Sequence, residues 1–163
     1  MKETIIIILA MLIGQAADAA NFLQGRVVGV SDGDTITVLD DTRTQHRIRL
    51  VGIDAPEKRQ AFGQASKQSL SDMVYGKDVS VLWEKQDRYG RILGKVMRLP
   101  WGDVNLAQVK AGMAWHYKHY MADQSREDQV AYATGEVTAR QARIGLWAEA
   151  GPTPPWDWRR ASR

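Results

Sequence analysis

Residues 47–57, R-I-R-L-V-G-I-D-A-P-E, deliver an arginine, an aspartate and a glutamate from one strand and its exit turn. Those are the parts of a site that handles phosphate with a hard metal ion. Apolar and basic residues alternate from Arg47 to Val51, so Arg47 and Arg49 share one strand face and Ile48 takes the other. Pro56 disfavours a helical conformation at Ala55 and holds the exit extended, so the Asp54 carboxylate and nearby carbonyls face one small volume. Glu57 arrives just beyond it.

Two more polar turns flank this stretch. Ser31-Asp32-Gly33-Asp34-Thr35 lies between runs rich in β-branched residues, 26–30 and 36–39, and reads as a hairpin turn. Asp87-Arg88-Tyr89-Gly90-Arg91 lies between 79–83 and 92–96 and reads as another hairpin tip. Cleaving a phosphodiester brings water to phosphorus while charge gathers on the non-bridging oxygens, so cations must sit where that charge grows. Arg49 and Arg91 are suited to that work, since guanidinium makes paired hydrogen bonds to phosphate. Asp34 and Asp54 are candidate ligands of Ca²⁺, which accepts carboxylates, carbonyls and water in a flexible shell. Glu57 is a candidate general base, although a carboxylate can equally position the attacking water.

In this order, D-G-D-T, R-L-V-G-I-D-A-P-E and D-R-Y-G-R closely resemble the staphylococcal nuclease (thermonuclease) family, over about residues 26–147. Each motif alone would be turn or strand chemistry. The resemblance implies Ca²⁺-dependent, sugar-nonspecific cleavage of DNA and RNA that leaves 3′-phosphate ends. It adds the backbone carbonyl of Ala55 to the metal ligands and puts Glu57 in the outer shell, bonded to water on the metal. It gives Arg49 and Arg91 the phosphate, and makes Arg88, Tyr89, Tyr117, Lys118 and Tyr120 substrate contacts. Ala55 stands where the best-known member has threonine, and Arg88 where it has lysine. The alternative reading, a non-catalytic barrel that binds nucleic acid or protein, predicts a degenerate charged set. Here Asp34, Arg49, Asp54, Glu57 and Arg91 are all present.

The elements that must position these residues follow from pattern. Three strands run from 26 to about 53, a helix spans 61–75 with Ala65, Leu70, Met73 and Val74 inward, and strands follow near 78–84 and 91–98. A short helix capped by Asp103 carries Leu106, Ala107 and Val109 and ends at Gly112. A longer one opens after Ser125, with Val130, Ala131, Val137 and Ala142 as core candidates, and ends at Gly145. The expected class is α+β, mainly β: a five-stranded barrel of the oligonucleotide-binding type (OB-fold) with three helices. The family resemblance implies the same fold, and the convergence of the three turns at one end of it.

The 163 residues, 44% hydrophobic and 25% charged, suit one domain, and a net charge of +3 favours an anionic partner. Residues 1–19 have the shape of a secretory signal peptide, with an apolar run from Ile5 to Ile13 and Ala17-Asp18-Ala19 as the cleavage site. Residues 20–25 read as a lead, 26–147 as the nuclease domain and 148–163 as a tail. The protein is expected to be exported, periplasmic or secreted, and to act on DNA and RNA as a monomer with no stable membrane association after cleavage. The absence of cysteine removes disulfides and thiolate chemistry, and the His116 and His119 pair is not read as a metal site. In the tail, Gly151-Pro152-Thr153-Pro154-Pro155 reads as an extended connector before Trp156-Asp157-Trp158-Arg159-Arg160. That end either buries a tryptophan on the barrel or adds a stacking and charged contact to nucleic acid.

Overall fold

The computed structural model describes residues 21–162, so the expected leader lies outside the described residues. Five strands form the barrel: β1 (Asn21–Asp32), β2 (Thr35–Leu39), β3 (Gln45–Leu50), β5 (Asp78–Gln86) and β6 (Ile92–Arg98). Short strands β4 (Ile53–Asp54), β7 (Gly102–Asp103) and β8 (Trp115–His116) complete the β structure, and α1 (Gly63–Val74), α2 (Val104–Lys110), α3 (Arg126–Gln141) and α4 (Pro155–Ala161) are the α-helices. The strand order is β3-β2-β1-β5-β6, antiparallel throughout, and β3 then pairs in parallel with β6 through Ile48↔Ile92 and Leu50↔Gly94. That pairing closes the barrel. Bulges between Val27 and Gly29 and between Val30 and Asp32 help to bend β1 around it.

Alternation along the strands sends Val27, Ile36, Val38, Ile48, Leu50, Val81, Ile92 and Val96 inward, where α1 adds Leu70, Met73 and Val74. Helix α2 adds Val104 and Val109. Arg47 and Arg49 alternate outward as the pattern requires. Strand β1 starts at Asn21, earlier than the β-branched run at 26, because residues 21–26 pair with β5 from Asn21↔Trp83 to Arg26↔Asp78. Pairing to a neighbour extends the strand beyond its own propensity.

The helices depart further from expectation. Ala65 is exposed, and the inner face of α1 uses Gly63 and Ser66 instead, since the turn at Gly33 presses so close to Ser66 that only small groups fit. In α3 the buried residues are Tyr132, Gly135, Glu136 and Ala139, whereas Val130 and Val137 are exposed, as is Ala142 beyond its end. Gly135 lets α2 approach closely, and Glu136 is held by polar partners, so hydrophobicity misplaces the face. The fourth helix, α4, forms within the tail. Among the described residues no helix is long and apolar enough to cross a membrane.

Asn105 ties closure to the chain leaving β3. Fully buried, it accepts from Val96 N at 3.1 Å and donates to Val51 O at 3.0 Å and Gly94 O at 3.1 Å. Asn105→Leu strands the Val96 N–H and the Val51 carbonyl in the interior. The expected loss is about 2–4 kcal/mol, or roughly 5–12 °C in thermal midpoint, and an unchanged midpoint would refute this role.

Candidate active site at the barrel mouth

The turn between β1 and β2 is built by its own aspartates. Asp32 Oδ1 accepts from Asp34 N at 3.1 Å, while Asp34 O accepts from Leu50 N at 2.8 Å and fastens the tip to the end of β3. Asp34 thereby meets the exit turn, where its Oδ2 accepts from Ala55 N at 2.7 Å. The exit itself is steered by β4, which pairs with β8 through Ile53↔His116 and Asp54↔Trp115. Tyr117 is drawn alongside by its N–H bond to Gly52 O at 2.9 Å.

Arg49 bridges the two aspartates. Nη1 lies 2.8 Å from Asp34 Oδ2, and Nη2 lies 2.9 Å from Asp54 Oδ1. Nη1 also donates to Ile53 O at 3.1 Å. The Asp54 side chain has no exposed surface and that of Asp34 is 8% exposed, so both carboxylates depend on fixed partners in place of water. Burial pushes the Asp34 carboxyl up to about 7, and the pull of the Arg49 guanidinium only partly offsets it.

A second guanidinium, from α4, reaches Asp54 as well and joins it to Glu57. Arg159 Nη2 donates to Asp54 Oδ2 at 2.7 Å, and its Nη1 donates to Glu57 Oε1 at 2.7 Å and Asp54 Oδ1 at 3.2 Å. These bonds raise the affinity of Arg159 for its proton. In sequence Arg159 stands only as tail charge beside tryptophan, a candidate contact to nucleic acid; the fold places it on Asp54 and Glu57 instead. The tail does fold back, with Trp156 stacked on Tyr117 at 5.3 Å and set edge-on to Trp115 at 6.3 Å.

A cleft of about 820 Å³ is lined by every site residue proposed from sequence except Lys118. Across it, Asp87 organises the hairpin tip by accepting from Tyr89 N at 2.9 Å and Arg91 N at 3.0 Å, and it pairs with Arg91 Nε at 2.7 Å. The Arg88 guanidinium lies over the Tyr89 ring at 4.8 Å. Lys118 is turned away, 2.8 Å from Glu136 Oε2, because that buried carboxylate needs a cation. His116 is also buried, with Nε2 2.9 Å from Gln124 Oε1.

Among the described residues no three His, Asp or Glu side chains form a metal cluster. The mouth offers instead two carboxylates, Asp34 and Asp54, bridged by Arg49, and Ala55 lines the same cleft with a backbone carbonyl, so the donors on offer are all oxygen. This donor set suits a hard divalent cation such as Ca²⁺.

A closed OB-type barrel thus gathers two buried aspartates, arginines and a glutamate at one cleft, a set suited to phosphate chemistry with a hard cation. Residues 47–149 match the family described as staphylococcal nuclease homologues. An Escherichia coli protein named "Uncharacterized endonuclease" is 47% identical over 137 residues, covering 84% of this chain and 85% of its own. The "Micrococcal nuclease" of Shigella flexneri is 40% identical over 148 residues, covering 86% and 82% respectively. The chain belongs to the staphylococcal nuclease family.

Because Asp34 holds its proton up to about 7 when folded, against an ordinary 3.8, acid favours the folded state between those values. Stability contributed at this position therefore falls as pH rises through that window. Denaturant unfolding in chelator from pH 4 to 8 should show a loss on the order of a few kcal/mol in the parent that Asp34→Asn lacks. Identical pH slopes in the two proteins would contradict the burial argument.

Proposed function

We propose that this protein is a Ca²⁺-dependent, sugar-nonspecific endonuclease that hydrolyses DNA and RNA and leaves 3′-phosphate ends. The observation that carries the reading is the Arg49 bridge between Asp34 and Asp54, in a cleft that Arg91 also lines. Asp34, Asp54 and the Ala55 carbonyl would hold Ca²⁺, which when bound supplies positive charge where the phosphate becomes more negative. The family match, and the endonuclease and nuclease names of similar proteins, support the same chemistry.

With a cation held by the aspartates, Arg49 would be free to present its paired N–H donors to a non-bridging phosphate oxygen. Arg91 approaches from the opposite hairpin and stabilises the charge growing toward the leaving oxygen. Its bond to Asp87 uses Nε, and so leaves the two Nη groups for phosphate. Glu57 stands beside Asp54 and takes the proton of the attacking water, or holds that water in line. Tyr89, Arg88, Tyr117 and Tyr120 give ring faces and charge along the cleft, which accept any base by stacking.

The test is digestion of single-stranded DNA, duplex DNA and RNA with Ca²⁺, with Mg²⁺ or in chelator. Cleavage of all three should need Ca²⁺, and Mg²⁺ should support much less because it demands a tighter octahedron. Arg91→Ala should cut slower by about 10²–10³ with its thermal midpoint little changed. Full activity in chelator, or normal cleavage by the variant, would overturn the assignment.

A further inference from the structure

Three of the roughly four acceptor sites of the Asp54 carboxylate are taken by guanidinium, and the remaining one on Oδ2 is shut off from solvent. Its Oδ1 takes Arg49 at 2.9 Å and Arg159 at 3.2 Å, its Oδ2 takes Arg159 at 2.7 Å, and its side chain has no exposed surface. A cation from solution that takes Asp54 as a ligand must therefore displace a guanidinium. Arg49 is rooted in β3, inside the closed sheet, and also donates to Ile53 O, so it can turn but not depart. Arg159 comes from a seven-residue helix near the chain end, and such a helix is not stable without its tertiary contacts.

Those contacts come from distant parts of the chain, and besides the Arg159 bonds they include Trp156 edge-on to Trp115 at 6.3 Å, at the border of the cluster formed by Trp115, Ala139, Leu146 and Trp147. Trp156 stacks on Tyr117 with an interplanar angle of 24°, and Gln60 Nε2 donates to Thr153 O at 2.5 Å just before the helix. One short element thus covers Asp54 and Glu57 with a cation and Tyr117 with a ring. While paired to both carboxylates, Arg159 has little to offer a phosphate, and it lies beyond the stretch 47–149 that the family match covers.

We propose that α4 is an autoinhibitory latch, in which Arg159 is a tethered competitor for the divalent cation and Trp156 shields a substrate-facing ring. The proposal rests on reading Asp34 and Asp54 as the Ca²⁺ ligands. Binding of Ca²⁺ opens the latch, and a polyanionic strand holds it open by drawing the freed arginine to its phosphates. Apparent Ca²⁺ affinity is then the intrinsic affinity reduced by the fraction of molecules already unlatched.

The experiment titrates Ca²⁺ calorimetrically into the full chain, Arg159→Ala and Trp156→Ala without nucleic acid. Hydrogen exchange of residues 152–162 in the parent is followed with and without the ion. Both variants should bind Ca²⁺ about tenfold more tightly than the parent, as expected for a latch closed in roughly nine molecules of ten. Amides of α4 in the parent should exchange faster once Ca²⁺ is bound. Equal affinities in all three proteins, weaker binding by Arg159→Ala, or unchanged protection of α4 would overturn the latch and leave the Ca²⁺ site standing. No binding by any of the three would remove the Ca²⁺ reading, and the latch with it.

Discussion

Asp54 is an ionisable group with no exposed surface, placed where a strand leaves a barrel, and the surrounding structure compensates it. A carboxylate removed from water costs several kcal/mol unless charge and hydrogen bonds replace its hydration. Here two guanidiniums supply both, one from β3 and one from α4. The short β4–β8 pairing fixes Asp54 itself, through Asp54↔Trp115. A divalent cation held at the proposed site would meet the same need for positive charge.

Closure of the barrel creates this volume. The turn holding Asp34 and the exit holding Asp54 are separated in sequence but share the end of β3, through Leu50 N to Asp34 O and Ala55 N to Asp34 Oδ2. The parallel β3–β6 pairing brings the Arg91 hairpin to the same end, and Asn105 bonds both of those strands' neighbourhoods from below. Barrel strands and their turns therefore carry most of the charged groups, while the helix that covers them is short and depends on its docking through Trp156 and Arg159. That division is the one expected where a site must be preorganised and still be opened.

Much of this was legible in the sequence where local pattern decides. The alternation of Arg47, Ile48, Arg49 and Leu50 assigns each side chain its face, and Asp103 and Ser125 cap α2 and α3 as their positions predict. What escaped depends on distant partners. The α3 face was misplaced because Glu136 and Gly135 are buried for reasons of charge and close approach, and Lys118 left the cleft to pair with that glutamate. Arg159 escaped because the tail reads as a proline-rich connector, and only the folded barrel shows that it ends beside two carboxylates more than a hundred residues upstream.

The guanidiniums over Asp34 and Asp54 stand at the proposed cation site. Crystals of the protein grown with Ca²⁺ and measured at a wavelength with appreciable calcium anomalous signal would show the ion itself. One anomalous peak is expected about 2.3–2.6 Å from carboxylate oxygens of both aspartates, with Arg49 rotated out of its bridge and Arg159 withdrawn from Asp54. A calcium peak elsewhere, or an unbroken arginine bridge with no peak at the mouth, would contradict the proposed site.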